Sequence, residues 1–173
     1  PNSCYQIADV LVNGVSVGAV SSYTFNNVTA ANTISVLFSP ITYAVTASSG
    51  ENGSISPSGV TDASCGGSQT YIITPNSCYQ IADVLVNGVS VGALSSYTFH
   101  NIQGLQSISV SFLQTTYNIT ASSGANGMIN PLGNTNITCG SNQSYAIVAD
   151  PGYNIQDVVV DGVSQGAITN YSF

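Results

Sequence analysis

Four cysteines are the residues of this sequence whose type and spacing point most directly to chemistry. Cys4 and Cys78 lie 74 residues apart, and so do Cys65 and Cys139. A zinc site is not expected, because no two cysteines have the Cys-x-x-Cys spacing and the single histidine, His100, is close to none of them in sequence. We therefore expect disulfide bonds, which place the chain outside a reducing cytosol.

Four cysteines allow three pairings. We prefer Cys4 with Cys65 and Cys78 with Cys139, because these pairs use all four sulfurs and keep the 74-residue spacing. At the position of Cys4 and Cys78 the third copy of this segment has Gly152. A bridge between Cys65 and Cys78 would therefore leave Cys139 without a partner. Bridges between chains and free thiols stay open as further alternatives.

The bridge between Cys65 and Cys78 also meets a geometric objection. Residues 69–74 between them are predicted to form a strand, about 20 Å long at ~3.3 Å per residue. If this strand pairs with residues 81–86 in a hairpin, the two cysteines lie at opposite ends of it. Their Cα atoms would have to come within about 7 Å to bond.

Other reactive side chains show no catalytic pattern. His100 corresponds to Asn26 in the neighbouring copy, which favours an exposed loop residue. Only the acid at Asp9, Asp83 and Asp157 recurs; we expect a partly buried carboxylate that accepts hydrogen bonds from a turn. Calcium would need several oxygens from more than one carboxylate. No paired carboxylates, Ser/His/Asp set or phosphate-binding loop occurs, so we expect no catalytic residue, no metal, no cofactor and no enzyme activity.

Several asparagines lie in Asn-x-Ser/Thr sequences, the acceptor pattern for N-glycosylation. Glycosylation requires a host that has the machinery, and a sequence so rich in Asn, Ser and Thr produces some of these patterns by chance. The six candidate acceptors are Asn27, Asn52, Asn118, Asn136, Asn142 and Asn170.

The composition excludes several classes of partner. The 173 residues contain no Lys and no Arg, and only 4% are charged, against roughly 25% in ordinary globular chains. Without cations the chain cannot neutralise nucleic-acid phosphates, so no nucleic-acid partner is expected. No apolar run approaches the ~20 residues of a spanning helix, so no membrane insertion is expected either.

An internal repeat of 74 residues organises the whole sequence. Residues 75–99 repeat residues 1–25 with a single change, from Val20 to Leu94. Such a fixed period indicates an array of similar modules, of which this chain is a part. We expect the C-terminal part of one repeat at residues 1–41, a complete repeat at 42–115, and the N-terminal part of a further repeat at 116–173.

The aromatic residues recur in every copy that contains their position. A recurring aromatic side chain is most often part of the core, whereas the polar residues between them change freely. We therefore predict a core role for fifteen aromatics, which are Tyr5, Tyr23, Phe25, Phe38, Tyr43, Tyr71, Tyr79, Tyr97, Phe99, Phe112, Tyr117, Tyr145, Tyr153, Tyr171 and Phe173.

The secondary structure is predicted to be strands throughout. Apolar residues alternate over 34–38, 43–47 and 108–112, and no segment has a helical period. Asn-Gly or Asp-Gly at 13–14, 87–88 and 161–162 predicts type I′ hairpins, and Asn-Gly at 52–53 and 126–127 predicts another. We expect an all-β fold of tandem β-sandwich or β-grasp-like modules, each with about six to eight short strands.

Three segments carry a resemblance to a known family. They are GSISPSG at residues 53–59, IITPNSCY at 72–79 and SYTFNNVTAANTISVLF at 22–38. With these segments the chain resembles the divergent InlB B-type bacterial repeat, which occurs in several copies within large surface and secreted proteins. The resemblance implies an all-β module used as a stalk or adhesive spacer, and it implies no catalytic residue.

These observations predict an extracellular or cell-surface structural protein. Its disulfide-linked modules would self-associate into a polymer, as a fibre, sheath or stalk. The alternative is an adhesin or carbohydrate-binding module with a glycan ligand. Residues 116–173 lack the strand equivalent to 108–112. Either a neighbouring chain supplies that strand or the array continues in a longer chain.

Overall fold

The computed structural model of the chain describes residues 1–173 and consists of strands without a helix. The predicted all-β class is therefore confirmed. There is also no helix with the length and apolar character that crossing a membrane requires.

The strands are numbered in chain order. The first eleven are β1 (Tyr5–Val12), β2 (Val15–Ser16), β3 (Ile34–Pro40), β4 (Thr42–Ser49), β5 (Gly53–Ser56), β6 (Gly59–Ser64), β7 (Gln69–Pro75), β8 (Tyr79–Val86), β9 (Val89–Ser90), β10 (Ser96–Phe99) and β11 (Gln106–Gln114). The remaining seven are β12 (Thr116–Ala121), β13 (Gly127–Asn130), β14 (Gly133–Thr138), β15 (Ser144–Ala149), β16 (Val159–Val160), β17 (Val163–Ser164) and β18 (Asn170–Ser172).

The chain forms two compact units. The first comprises Pro1–Asn76 and Ile81–Phe112, and the second comprises Ser77–Gln80 and Leu113–Phe173. The predicted repeat boundary between residues 41 and 42 lies inside the first unit, and the one between 115 and 116 lies three residues after Phe112. The repeat boundaries themselves stay predictions.

In the first unit a sandwich of two sheets contains the core. One sheet has the strand order β6-β4-β11-β8-β9 and the other has the order β10-β7-β5. Side chains from both sheets meet in one hydrophobic cluster, as expected where two apolar sheet faces cover each other. Its buried members are Val45, Ala47, Ile55, Ala63, Tyr71, Ile73, Val84, Phe99, Ile102, Ile108 and Val110.

A parallel pair of strands lies at the centre of the larger sheet. β4 and β11 are the first and last strands of residues 42–115, and they pair in parallel with Val45 opposite Gln106 and Ser49 opposite Val110. Ile108 and Val110 of β11 are 1% and 4% exposed. Parallel neighbours cannot be joined by a tight hairpin. The pair therefore joins the two ends of residues 42–115 and completes the module.

The third sheet of the first unit is not one of the two sheets of this sandwich. It has the order β2-β1-β3, and β1 and β3 pair antiparallel from Tyr5 opposite Pro40 to Val12 opposite Ile34. β3 has only one neighbour and is thus an edge strand. Its side chains at Ile34, Val36 and Phe38 are exposed.

The second unit has three small sheets. Their orders are β12-β14, β13-β15-β18 and β16-β17. β12 pairs with β14 over its whole length, from Thr116 opposite Thr138 to Ala121 opposite Gly133. The only fully buried aromatic of this unit is Tyr145, at 3% exposure.

Turn chemistry in the sequence predicted three hairpins correctly. Asn87 and Gly88 have φ angles of 51° and 79°, and Val86 pairs with Val89 across them. Both central residues of a type I′ turn need positive φ, which Asn and Gly tolerate. The same pairing occurs around residues 13–14, between β1 and β2, and around residues 161–162, between β16 and β17.

Two other predicted hairpins are wrong. Asn52 has φ 70°, but the strands before and after it, β4 and β5, belong to different sheets. β12 and β13 likewise belong to different sheets on either side of Asn126. These turns carry the chain from one sheet to the other. A hairpin between β7 and β8 does not form either, because β7 lies between β10 and β5 in the opposite sheet.

The core role predicted for all fifteen aromatics is wrong for six of them. Tyr71, Phe99 and Tyr145 are buried, and six more are half-buried: Phe25, Tyr43, Tyr79, Tyr97, Phe112 and Tyr171. The remaining six are exposed, namely Tyr5 (49%), Tyr23 (43%), Phe38 (53%), Tyr117 (60%), Tyr153 (56%) and Phe173 (45%).

The exposed aromatics all lie outside residues 42–115. Phe99 is 5% exposed, and its ring packs edge-on against that of Tyr71, with 6.0 Å between the ring centroids. Both residues belong to the hydrophobic cluster that β11 completes. Its equivalent Phe173 has a similar neighbour in Tyr145 at 6.1 Å. No strand equivalent to β11 covers that pair, so the ring stays in contact with solvent.

Replacing Ile108 by Ala should lower the free energy of unfolding by about 2–5 kcal/mol, because a fully buried aliphatic side chain on the closing strand leaves a cavity. Leu105, at 78% exposure, provides the control, and Leu105→Ala should change stability by less than about 0.5 kcal/mol. Urea denaturation followed by circular dichroism measures both. Equal losses for the two variants would contradict the assignment of β11 to the core.

Candidate functional site

The candidate functional site is a pair of disulfide junctions built on long strands. One continuous extended stretch, residues 34–49, consists of β3, Ile41 and β4. We call it the spanning strand. β1 pairs with its first half, where Tyr5 is opposite Pro40. β6 pairs with its second half, where Ser64 is opposite Thr42. Ile41 lies between the two paired halves.

Ile41 connects the ends of both neighbouring strands. Its backbone N–H donates to the carbonyl oxygen of Cys4 at 2.9 Å, and its carbonyl oxygen accepts from the N–H of Cys65 at 2.9 Å. In a strand these two groups point to the same side. β6 and β1 therefore lie end to end along one edge of the spanning strand. The Cys4–Cys65 disulfide links these ends, with 5.2 Å between the Cα atoms.

The same arrangement recurs 74 residues later, within the second unit. Thr115 donates to the carbonyl oxygen of Cys78 at 2.8 Å and accepts from the N–H of Cys139 at 2.9 Å. The Cys78–Cys139 disulfide has 5.3 Å between Cα atoms, and both disulfides span 61 residues of sequence. These are the preferred pairs of the sequence analysis, and no cysteine is free.

Ile41 and Thr115 are the junction residues that sequence reasoning missed. Neither carries a reactive side chain, and both act through backbone hydrogen bonds, which residue type does not reveal. The available signal was the run of strand-forming residues that continues from 34 to 49 across the predicted boundary at 41/42. A strand that continues across a repeat boundary must pair with elements from both repeats.

The turn that contains Cys4 explains why the third copy can have a glycine at the equivalent position, where Tyr153 N–H donates to the carbonyl oxygen of Asp150 at 3.0 Å. Tyr5 N–H donates to the carbonyl oxygen of Asn2 at 3.1 Å, and Cys4 between them has φ 66°. Gly152 occupies the same place with φ 87°. Glycine adopts positive φ without steric cost, whereas other residues are strained there. The turn thus needs no cysteine, and Cys4 serves the covalent link.

The recurring aspartate stabilises the adjacent hairpin through hydrogen bonds. Oδ1 of Asp9 accepts hydrogen bonds from Ser16 Oγ at 2.7 Å and from the N–H groups of Val10 and Gly18 at 2.8 Å and 3.2 Å. Asp83 accepts from Ser90 Oγ at 2.7 Å, and Asp157 from Ser164 Oγ at 2.8 Å. The carboxylate therefore accepts hydrogen bonds from a turn, as predicted. It is partly buried at Asp9 and Asp83, but the predicted burial is wrong for Asp157, which is exposed.

The remaining reactive side chains are dispersed. His100 is exposed, and its Nδ1 lies 3.4 Å from Ser68 Oγ. No group of three or more His, Cys, Asp or Glu side chains is placed to hold a metal ion.

All six candidate glycosylation acceptors are exposed. Asn118 and Asn136 lie opposite each other on β12 and β14, and their side chains are hydrogen-bonded at 3.0 Å. Asn27 and Asn52 have positive φ in turns. Exposure makes these side chains accessible, and their modification stays a prediction.

Two intramolecular disulfides and no free cysteine indicate an oxidising, extracellular-type environment. Cytosolic thiol systems keep most cysteines reduced, and such bonds persist mainly outside that compartment. All four cysteines are half-buried.

Comparison of the chain with protein-family models, with curated proteins and with solved structures finds no match.

Replacing Cys4 by Gly and Cys65 by Ser should remove the link and leave the turn intact, because Gly152 already occupies that turn position. Closing a 61-residue loop restricts the unfolded chain by about 4 kcal/mol, so the free energy of unfolding should fall by about 2–4 kcal/mol. Urea denaturation of the variant and the parent chain measures the loss.

The control for this prediction is chymotryptic peptide mapping without reduction, since the chain has no Lys or Arg for trypsin to cleave. The variant should keep the Cys78–Cys139 peptide pair and lose the Cys4–Cys65 pair. Recovery of a Cys65–Cys78 peptide from the parent chain would contradict the observed junctions.

Proposed function

We propose that this chain is an extracellular structural repeat protein whose disulfide-linked β-modules build a fibre, sheath or stalk. The observation that carries the proposal is the recurrence of one junction, at Cys4–Ile41–Cys65 and again at Cys78–Thr115–Cys139. Each disulfide links segments of consecutive predicted repeats. An array of such junctions would have a covalent bond wherever one strand end meets the next.

The geometry of the junction suits a protein that carries load. The spanning strand pairs with β1 and β6 along the same edge, and the disulfide joins the two across the gap opposite Ile41. Tension along the strands would therefore act on a covalent bond as well as on hydrogen bonds.

The surface composition also supports side-by-side assembly. The chain has a net charge of −7 from seven carboxylates and one uncharged His, and no cation. Charged side chains on strand edges, Lys above all, are a common protection against edge-to-edge pairing. With so few charged side chains, neighbouring chains repel each other little, and their strand edges have little protection against pairing. The resemblance to the divergent InlB B-type repeat supports a cell-surface location.

An adhesin or carbohydrate-binding module is the second candidate. Tyr117 is 60% exposed on β12. An exposed aromatic ring presents an apolar face on which a sugar ring can stack. A glycan array distinguishes this candidate, and an array without signal removes it.

Purified chain at micromolar concentration should form fibres visible by negative-stain electron microscopy. These should resist trypsin, because Lys and Arg are absent, and also chymotrypsin, because most of the Tyr and Phe residues lie on ordered strands. Dithiothreitol should make the fibres chymotrypsin-sensitive by opening both disulfides.

Unfolded chain in urea is the control, and it should be cut by chymotrypsin but not by trypsin. A monodisperse monomer by light scattering at all concentrations, with no fibres, would contradict the structural proposal.

A further inference from the structure

Four Asn-Gly peptides lie in turns of this chain, and each asparagine has a positive φ. They are at residues 13–14, 52–53, 87–88 and 126–127. An Asn-Gly peptide can react with itself, because glycine has no side chain to keep its nitrogen away from the amide carbon of the asparagine. The reaction requires the asparagine side chain to rotate toward that nitrogen. The four turns differ in whether the side chain is free to do so.

The side chain of Asn87 is held by two hydrogen bonds. Its Nδ2 donates to Gln106 Oε1 at 2.7 Å, and its Oδ1 accepts from the N–H of Ser107 at 2.8 Å. Asn13 has the equivalent pair of bonds, with the N–H of Thr33 donating to its Oδ1 at 2.9 Å. At these two hairpins the amide can turn toward the next peptide nitrogen only after both bonds break.

The side chain of Asn52 has no such restraint. It is exposed and has no hydrogen-bond partner, although its carbonyl oxygen accepts from the N–H of Asn76 at 2.9 Å. Asn126 repeats this turn, since its carbonyl oxygen accepts from the N–H of Asp150 at 3.0 Å and its side chain is likewise exposed without a partner. In both turns the backbone is fixed and the side chain is free to rotate.

The nitrogen of Gly53 is also available. Gly53 is opposite Pro75, and the bond from Asn76 to Asn52 makes this a pair that exchanges no hydrogen bonds. The N–H of Gly53 therefore points away from β7, at the free edge of the sheet β10-β7-β5. A Cβ at this position would collide with the ring of Phe112. Packing thus requires the glycine that leaves the Asn52 amide unhindered.

We propose that Asn52-Gly53 and Asn126-Gly127 are sites of spontaneous modification, at which asparagine becomes aspartate or isoaspartate. The Gly53 nitrogen attacks Cγ of Asn52, so that the N–Cγ bond forms, the Cγ–Nδ2 bond breaks, and ammonia leaves with the proton from the glycine nitrogen. Water then opens the cyclic imide. Attack of water at Cγ gives aspartate, and attack at the backbone carbonyl carbon gives isoaspartate, whose main chain passes through Cγ.

The modification changes both charge and backbone. Each reacted site adds one negative charge to a net charge of −7, and the chain has no Lys or Arg to pair with it. At Asn52 the new carboxylate lies next to the exposed Glu51. Isoaspartate also lengthens the backbone within the turn that carries the chain from β4 to the opposite sheet.

Chymotryptic peptides of the aged chain test the proposal. Cleavage after Tyr43 and Tyr71 gives a peptide in which Asn52 is the only asparagine, and cleavage after Tyr79 and Tyr97 gives one in which Asn87 is the only asparagine. Mass spectrometry after reduction measures the conversion of amide to acid in each peptide. The initial mass must show no glycan on Asn52, because a glycan on Nδ2 would change the leaving group.

The folded chain and the chain unfolded in urea are aged side by side, so that each site provides its own reference rate. Folding should slow Asn87 by about 10-fold or more, because two hydrogen bonds have to break. Asn52 should keep its unfolded rate within about 3-fold, since its side chain has no hydrogen bond to lose. Equal slowing of Asn52 and Asn87 by folding would overturn the proposal.

Two variants separate the hydrogen bonds from other effects of the turns. Gln106→Ala removes one of the two partners of Asn87 and should speed its conversion about 5-fold, leaving Asn52 unchanged. Asn52→Gly fits the positive φ, and isoelectric focusing of the aged variant should lack one acidic form that the parent chain develops. Circular dichroism establishes that both are folded. A folded Gln106→Ala variant with an unchanged Asn87 rate, or an Asn52→Gly variant with the parent pattern, would contradict the proposal.

Discussion

One strand shared between two sheets is the constraint on which the first unit depends. The spanning strand, residues 34–49, has to pair with β1 over one half and with β6 over the other, and both partners end opposite Ile41. Two strand ends that meet at one residue would ordinarily fray, because nothing continues the backbone between them. The Cys4–Cys65 disulfide holds these ends together, so both halves keep their register. The positive φ of Cys4 fits this role, since it is a strained conformation that the covalent link retains.

The core depends on a second long-range pairing, that of β4 with β11. The two strands come from opposite ends of residues 42–115, and Ile108 and Val110 complete the cluster around Tyr71 and Val84. Where β11 has no counterpart, the same kinds of side chain stay exposed. Burial in the first unit thus depends on the complete set of strands in residues 42–115, which supplies every member of the cluster.

These features together explain which residues recur in the sequence. The residues that recur are cysteines, turn residues, the hairpin aspartate and aromatics. Each has a geometric role: Asp83 accepts from Ser90, Asn87 and Gly88 form a turn, and Cys78 bonds Cys139. His100 has no equivalent His in another copy. A fold built from similar modules needs the same turns, links and core residues in each copy.

By itself the sequence determined the strand content, the type I′ turns, the absence of cations and the preferred cysteine pairs. These depend on local turn geometry, on period-2 alternation and on the arithmetic of the repeat. Only the tertiary structure decided that Asn52 leads into another sheet, that β7 and β8 never pair, and that six recurring aromatics are exposed. Those outcomes depend on which strands from distant parts of the chain lie side by side. A strand pattern in the sequence predicts which face of a sheet a residue lies on, whereas long-range pairing decides which elements cover that face.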